Sequence, residues 1–180
     1  MLDNKFVFEK LVKKFGESII GYEENFDTIA IHANKEFNLK ILQFLYDEED
    51  LGFRFMTDLT AIHYPNNKGE ELIVTYLLYN MKENFHIRLK FPLNIEEPNI
   101  YTASQIHPTA NWLERECYDF YGVNFIGHPN LIRIMNVDEM DYFPQRKEFP
   151  LEDQTRTDKD DEMFGRGGNF NYGGFTVKGN

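Results

Sequence analysis

The spacing of apolar residues along the chain predicts three helices. Apolar residues recur mostly at helical intervals in three stretches, which are residues 3–15, 35–47 and 109–121. Residues typical of helix ends bound these stretches: Gly16 after the first, Asn34 before the second and Gly122 after the third. The run Asp47-Glu-Glu-Asp50 is expected to form a loop, because negative charge is unfavourable at a helix C-terminus.

Alternating and β-branched stretches predict strands, over residues 18–22, 28–32, 53–64, 71–79 and 85–91. The last of these, Phe-His-Ile-Arg-Leu-Lys-Phe, alternates strictly between apolar and polar, and we expect Pro92 to end it. Helices and strands mixed in this order predict an α+β fold. We expect a mixed or antiparallel sheet, three main helices and an extended C-terminal arm.

The pattern changes after Gly122 and predicts three parts, which are an α+β domain (1–122), an extended partner-binding segment (123–151) and a tail (152–180). The middle part has little periodicity but holds prolines and many apolar residues, which favours an ordered chain lying on a surface. The tail begins acidic and then becomes rich in glycine. We expect it to have no core of its own.

Composition excludes several classes of protein. The 180 residues carry a net charge of −11, which argues against binding along a nucleic acid backbone. The single cysteine cannot form an intrachain disulfide, an iron–sulfur cluster or a cysteine-rich zinc site. The longest apolar run, residues 72–79, is far shorter than the ~20 residues that span a bilayer. The free thiol and the lack of a signal-peptide pattern at the N-terminus predict a cytoplasmic protein, with a mature organelle chain as the alternative.

Motifs for chemistry are few. The sequence has no phosphate-binding loop, and its five histidines show no metal-binding spacing. Cys117 falls on the apolar face of the third helix, where we expect an inert buried thiol. His128, in Gly-His-Pro, is expected to hold the local backbone.

The densest cluster of charge lies on the third helix, around Glu114, Arg115, Glu116 and Asp119. Arg115 and Asp119 are four residues apart and share a helix face. Two interpretations stay open: a core helix with a solvated charged face, or a semi-buried ionic network that holds the helix against another chain. A third interpretation is acid–base catalysis by these carboxylates.

From residue 112 onward the sequence resembles a known family. Residues 112–135 read W-L-E-R-E-C-Y-D-F-Y-G-V-N-F-I-G-H-P-N-L-I-R-I-M, and residues 143–151 read F-P-Q-R-K-E-F-P-L. Both stretches, with F-R-F-M-T-D-L-T-A-I at 53–62, are similar to the C subunit (NuoC) of the proton-pumping NADH:quinone oxidoreductase, respiratory complex I. The resemblance covers about residues 53–151. It departs from the family where many members have His-Pro-Leu-Arg-Lys and this chain has Phe-Pro-Gln-Arg-Lys.

The resemblance implies a set of structural or partner-interface residues and no catalytic, cofactor or metal site. The set is Trp112, Glu114, Arg115, Glu116, Asp119, Gly122, Gly127, His128, Pro129, Arg133, Pro144, Arg146, Lys147 and Pro150. Three of them, Arg133, Arg146 and Lys147, are expected to pair with carboxylates on a neighbouring subunit.

The resemblance also implies a function: an accessory subunit of the hydrophilic arm of complex I, which transfers electrons from NADH to quinone and pumps protons. FMN, iron–sulfur clusters, NADH and quinone would belong to the complex, and this chain would bind none of them. Its partners would be the D, B and I subunits, and it would meet the membrane only through the complex, on the cytoplasmic side of the bacterial inner membrane.

Three alternatives stay open. The chain could be the homologous subunit of a membrane-bound hydrogenase or of another electron-input dehydrogenase. It could instead be a free-standing acidic interaction domain. The third alternative is a small hydrolase that uses Glu114, Glu116 and His128.

Overall fold

The computed structural model describes residues 2–25, 28–149, 171–172 and 175–176. The structure divides into two compact units, residues 1–149 and 150–180. In the second unit the described residues form a short antiparallel pair, β8 (Asn171–Tyr172) and β9 (Phe175–Thr176). The remainder of the tail lies outside the described residues, and the three-part division at residues 122 and 151 stays a prediction.

The first unit has an α+β fold, as predicted. Its helices are α1 (Asn4–Phe15), α2 (Asn38–Asp47) and α3 (Ala110–Tyr121). Its strands are β1 (Ile19–Asn25), β2 (Thr28–Ala33), β3 (Phe55–His63), β4 (Leu72–Asn80), β5 (Phe85–Leu93), β6 (Asn99–Tyr101) and β7 (Asn124–Ile126). Single 3-10 turns follow α1 and precede α2.

The helix ends follow the local chemistry of the sequence. Asp3 caps α1 by accepting a hydrogen bond from the N–H of Phe6, and Gly16 ends the helix with φ +52°. Asn34 caps the 3-10 turn before α2 by accepting from the N–H of Glu36. Gly122 ends α3 in the left-handed conformation, which glycine adopts without a steric penalty.

The main sheet has five strands in the order β1-β2-β5-β4-β3. Its neighbours are antiparallel except β2 and β5, which are parallel. A second, two-stranded sheet pairs β6 with β7 in parallel. Neither β6 nor β7 is among the strands that the sequence pattern predicts.

The prediction that Pro92 ends β5 is wrong, since the strand continues to Leu93. Pro92 has no N–H to donate, which is tolerated where a strand lacks a partner on one side. That condition holds here, because β2 pairs with β5 only at residues 87–90. Beyond Lys90 only β4 accompanies the strand.

The core lies on one face of the main sheet, where the helices pack. Along β4 the side chains of residues 72, 74, 76 and 78 are buried, and the buried residues of α1 and α2 join them in one apolar cluster. The buried thiol of Cys117 brings α3 into the same cluster. This packing fixes α3 beside β3, and the candidate site is built at the end of α3.

Candidate functional site

The C-terminal end of α3 is bound by the chain that follows it. An α-helix leaves its last four carbonyl groups without intrahelical partners. In α3 the carbonyls of residues 118–121 each accept a hydrogen bond of 2.8–3.2 Å. The donors, in chain order, are the backbone N–H of Gly122, the guanidinium of Arg133, the backbone N–H of Gln145 and the guanidinium of Arg146. The positive charges of Arg133 and Arg146 at this end also interact favourably with the helix dipole.

Asp119 organises the loop after Arg133. Its buried carboxylate accepts hydrogen bonds from Arg133 Nη1 (2.7 Å) and Asn136 Nδ2 (3.0 Å). It also accepts from three consecutive backbone N–H groups, those of Ile134, Met135 and Asn136, at 2.7–3.1 Å. Consecutive amides that converge in this way form an anion-binding concavity.

The pKa of Asp119 lies well below its ordinary value. Burial acts to raise this pKa, but the hydrogen bonds from Asn136, Met135 and Arg133 favour the charged form and outweigh it. The carboxylate is therefore ionised at neutral pH and holds its loop in place.

Arg133 is satisfied inside the chain. Its side chain is only 8% exposed, and Nη2 donates to the carbonyls of Met140 (2.7 Å) and Tyr142 (3.0 Å). The expectation that Arg133 pairs with a carboxylate of a neighbour is wrong, because Asp119 of the same chain provides that carboxylate. Sequence spacing could not show this pairing, since an irregular loop has no period.

Arg115 also donates to the loop rather than joining an ionic network on its helix. Its Nε and Nη2 donate to the carbonyls of Ile132 and Arg133, both at 3.1 Å. Its guanidinium lies 5.1 Å from the ring of Trp112, a cation–π distance. Glu116 is exposed. Arg115 thus contacts backbone, whereas Asp119 of the same helix forms a buried ion pair with Arg133.

Glu114 lies fully buried between α3 and the residues after β6. Its carboxylate accepts a hydrogen bond from the hydroxyl of Thr102 and another from the N–H of Ala103 (2.6 Å). Burial raises the pKa of Glu114 to about 7, and these two hydrogen bonds only partly oppose that effect. The structure therefore contains a carboxyl group that titrates near neutral pH.

His128 ties the turn after β7 to the start of α3. Its Nδ1 accepts from the N–H of Asn130, and its Nε2 lies 3.0 Å from the carbonyl oxygen of Asn111. These partners assign the neutral tautomer with its proton on Nε2. Nε2 also lies 3.9 Å from Glu114 Oε2, and both side chains are completely shielded from solvent. The ring binds the local backbone, as the Gly-His-Pro sequence predicts.

The end of the segment folds back over the helix end and the sheet. The ring of Phe143 packs against Gly122, where an added Cβ would come within 2.5 Å of it. The guanidinium of Arg146 lies 4.7 Å from the same ring, and its Nε binds the carbonyl of Tyr121. The backbone N–H of Lys147 donates to Nδ1 of His63 at the end of β3.

The remaining predicted site residues have smaller roles in this geometry. Gly127 adopts φ +82° beside Thr102, Pro129 is exposed in the following turn, and Pro144 is half-buried. The side chain of Lys147 is exposed, and Pro150 lies outside the described residues.

A group of large apolar side chains is left outside by these internal bonds. We call it the apolar arm surface; its members, 37–68% exposed, are Trp112, Ile132, Ile134, Met135, Val137 and Tyr142. Of these, only Trp112 belongs to the site residues that the family resemblance implies. The density of apolar residues at 132, 134, 135 and 137, in a segment without regular periodicity, was a signal for most of the others.

The hydrolase alternative does not fit the geometry. Glu114 and His128 are shielded from solvent, whereas Glu116 is exposed. The thiol of Cys117 is buried, and burial raises its pKa well above the ordinary value.

The part of the chain that the structure describes contains no group of three or more metal-ligating residues. It also contains no helix long and apolar enough to cross a membrane.

Comparisons with known proteins agree with the sequence resemblance. The family model described as respiratory-chain NADH dehydrogenase, 30 Kd subunit, matches residues 31–155. The C subunit of NADH-quinone oxidoreductase from Nocardioides sp. is 40% identical over 123 residues, which are 68% of this chain and 49% of that protein. The C subunit from Mycobacterium ulcerans is 32% identical over 157 residues, 81% of this chain and 66% of that protein. The chain thus spans about half to two thirds of these relatives.

Two solved structures share the fold. A trypsin-resistant fragment of Nqo5 has a TM-score of 0.57 at 24% identity, covering 69% of this chain and 99% of that one. A chain of the membrane-bound sulfane sulfur reductase, an archaeal respiratory membrane complex, has a TM-score of 0.68 at 21% identity, covering 87% and 96%. Because the family match takes in more than half of its residues, the chain belongs to the respiratory-chain NADH dehydrogenase 30 Kd subunit family.

Proposed function

We propose that this chain is a structural subunit of the hydrophilic arm of an NADH:quinone oxidoreductase, respiratory complex I. In this proposal FMN, the iron–sulfur clusters, NADH and quinone are bound by other subunits. The chain has no catalytic site of its own and supports electron transfer to quinone, and the coupled proton translocation, by holding its neighbours in place.

The observation that carries the proposal is the apolar arm surface. Segment 127–149 directs its polar groups to α3, with Asp119 and Arg133 at the centre of the bonds. Its apolar side chains project outward instead, with Met135 at 68% and Val137 at 63% exposed. A group of exposed large apolar side chains on one segment of a folded chain favours a protein–protein interface. An internally braced interface also loses little conformational freedom when the partner binds.

The partners we propose are the D, B and I subunits, which the family resemblance implies. The D subunit is assigned to the apolar arm surface, because the resemblance places the C subunit against it. The chain would then be peripheral, on the cytoplasmic side of the inner membrane, and meet the membrane only through the complex. Relatives that are 32–40% identical carry the name of the C subunit, which supports this choice.

A second candidate function is the same structural role in a different electron-input complex. The observation that favours it is the fold shared with a chain of the sulfane sulfur reductase, which extends over 87% of this chain. The two candidates predict different companions. Identification of the co-purifying subunits, and of the electron donor that the purified complex oxidises, separates them.

The test is a pair of methionine substitutions in the tagged full chain, expressed with the rest of its complex. Met135→Asp places a charge in the apolar arm surface, while the control Met81→Asp places the same charge in the turn between β4 and β5. The two methionines are 68% and 65% exposed, so neither change should unfold the chain. We expect Met135→Asp to reduce recovery of the D subunit and NADH:quinone turnover, and Met81→Asp to leave both unchanged.

Equal recovery from both variants would overturn the assignment of the apolar arm surface. A second measurement tests the role of the chain itself. Purified alone, it should show neither NADH oxidation nor visible absorbance, and stoichiometric flavin or iron would overturn the proposal of a purely structural subunit.

A further inference from the structure

The main sheet has a second face, on which most side chains of β4 and β5 are less buried than those on the core face. On β4, residues 73, 77 and 79 alternate with the buried set and are half-buried. On β5 the same face carries His86, Arg88 and Lys90, which pair across the sheet with residues 79, 77 and 75 of β4. Thr75 is the exception, since its neighbours cover it. We call this the open sheet face.

The open sheet face combines apolar and cationic side chains. Leu77, Ile73 and Tyr79 supply apolar surface, and Tyr79 stacks on His86 with ring centroids 4.2 Å apart. Lys90 is already paired, because Glu23 of β1 accepts from it at 2.9 Å and also contacts His32 at 3.1 Å. Among the residues that the structure describes, Asp58 of β3 is a second carboxylate on this face, opposite Leu77.

Arg88 differs from Lys90. Its guanidinium makes no ion pair or hydrogen bond with any described residue. It is half-buried between Ala30 of β2 and Leu77 of β4. A partly desolvated guanidinium among apolar neighbours gains most from a carboxylate, which it can bind through two parallel hydrogen bonds.

A recess beside Arg88 provides space for that carboxylate. It has a volume of about 90 Å³ and is lined by Thr28, Leu77, His86, Ile87 and Arg88. Three of these side chains can donate hydrogen bonds: the hydroxyl of Thr28, the imidazole of His86 and the guanidinium of Arg88. The recess thus offers hydrogen-bond donors that a carboxylate could accept from. It does so in a chain whose net charge is −11.

The strand spacing favours a helix as the element that carries the carboxylate. Alternate residues of a strand are about 6.6–6.8 Å apart, and residues four apart on a helix are about 6 Å apart. A helix lying along β5 would therefore present every fourth residue to successive members of the row 86, 88 and 90. Helices already cover the opposite face of the same sheet, which is the usual way for a sheet to bury its apolar side chains.

We propose that the open sheet face is a docking surface for an acidic amphipathic helix of a second protein, with one carboxylate of that helix in the recess beside Arg88. Apolar side chains of the helix would cover Leu77, Ile73 and Tyr79. This surface is separate from the apolar arm surface, so it adds a second point of attachment to the proposed function.

The test uses the full chain in cells that contain the rest of its complex. A photo-cross-linking amino acid replaces Leu77 on the open sheet face, and a control chain carries it at Val12 on α1, which is 38% exposed. Mass spectrometry of the cross-linked product identifies the segment that is reached. We expect the Leu77 position to reach a segment of another protein that has carboxylates at helical spacing, and the Val12 position not to reach that segment.

Exchange of the two charges, first on Arg88 and then on the partner's carboxylate, tests the proposed ion pair itself. Arg88→Glu should reduce the cross-link from Leu77 by about tenfold, as for loss of a charged hydrogen bond. Lys13→Glu makes the same reversal of charge at an exposed position on α1 and should leave the cross-link from Leu77 unchanged. The acidic residue of the partner that cross-linking identifies is then replaced by arginine. With this partner, the Arg88→Glu chain should again form the cross-linked product.

Four outcomes would overturn the proposal: a cross-link to a second copy of this chain, a cross-link to residues 150–180, no cross-link at all, or failure of the charge exchange to restore the product. Each is compatible with assembly through the apolar arm surface. The Met135→Asp result therefore distinguishes failure of this inference from failure of the proposed function.

Discussion

Asp119 and Arg133 lie fourteen positions apart in the sequence, and the Oδ1 atom of one is 2.7 Å from the Nη1 atom of the other. Both side chains are almost completely shielded from solvent. The pair joins the last turn of α3 to the loop that carries Met135 and Val137. The shape of the apolar arm surface thus depends on a contact hidden beneath it.

Replacement of Asp119 by Asn tests this dependence. Asparagine keeps the size but removes the charge, and it leaves Arg133 buried without a counterion. Breaking a buried pair in this way costs about 3–5 kcal/mol in the free energy of unfolding. The measurement is urea unfolding of the full chain. Asp138→Asn, an exposed change in the same segment, should cost almost nothing, and equal small losses in both variants would contradict the prediction.

Glu114 predicts that the protein becomes less stable as pH rises from about 5 to 8. The folded-state pKa is about 7, above the ordinary value of 4.5, so the folded state holds the proton more tightly than the unfolded state. The contribution of this proton to the free energy of unfolding is fully present below the pKa of the unfolded state. It is lost as pH rises through 7. The loss is about 2–4 kcal/mol. Asp119 acts in the opposite direction, since its lowered pKa costs stability only at acidic pH.

The variant Glu114→Gln separates this effect from the other titrating groups. Glutamine cannot ionise, so urea midpoints measured at pH 5 and pH 8 should differ less in the variant than in the natural chain. An unchanged difference between the two midpoints would assign the pH dependence to another group.

We expect one methyl group added at Gly122 to cause a large loss in the free energy of unfolding. Gly122→Ala combines a φ of +78° with a contact of 2.5 Å to the ring of Phe143. Gly69→Ala is the matched control, because φ is +86° there and no atom lies within 4 Å of the added Cβ. We expect the control to lose about 1 kcal/mol and Gly122→Ala about 2–4 kcal/mol. Thermal unfolding of both variants measures the difference, and equal losses would show that Phe143 moves aside freely.

Cys117 predicts slow thiol chemistry. Its side chain is buried and its raised pKa keeps the thiol protonated, so a disulfide reagent should react only when the chain opens. Reaction with dithiobisnitrobenzoate should be slow in buffer and complete within the mixing time in urea. Rapid modification of the folded chain would show that this part of α3 opens easily.

The sequence predicted those parts of the fold whose pattern repeats. The alternation from Phe85 to Phe91 identified β5, and the glycines at 16 and 122 marked the ends of α1 and α3. Strands β6 and β7 were missed because three residues are too few to show a period. The parallel pairing of β2 with β5 joins segments distant in sequence, which local patterning does not report.

The candidate site was predicted in part of its residues but not in its contacts. The family motif singled out Asp119, Arg133 and Arg146, and all three meet at the end of α3. Helical spacing, however, linked Asp119 to Arg115, whereas the true partner comes from a loop. Loop hydrogen bonds depend on the path of the chain in space, and a one-dimensional pattern carries no information about that path.

The pairing of Ile29 with Ile87 also matters for how the protein is made. A ribosome releases β2 long before β5, and in that interval β2 has a free edge and exposes apolar side chains that belong in the core. The growing chain is expected to be prone to aggregation until residue 93 has emerged. Chaperones that bind short apolar stretches would protect it during that period.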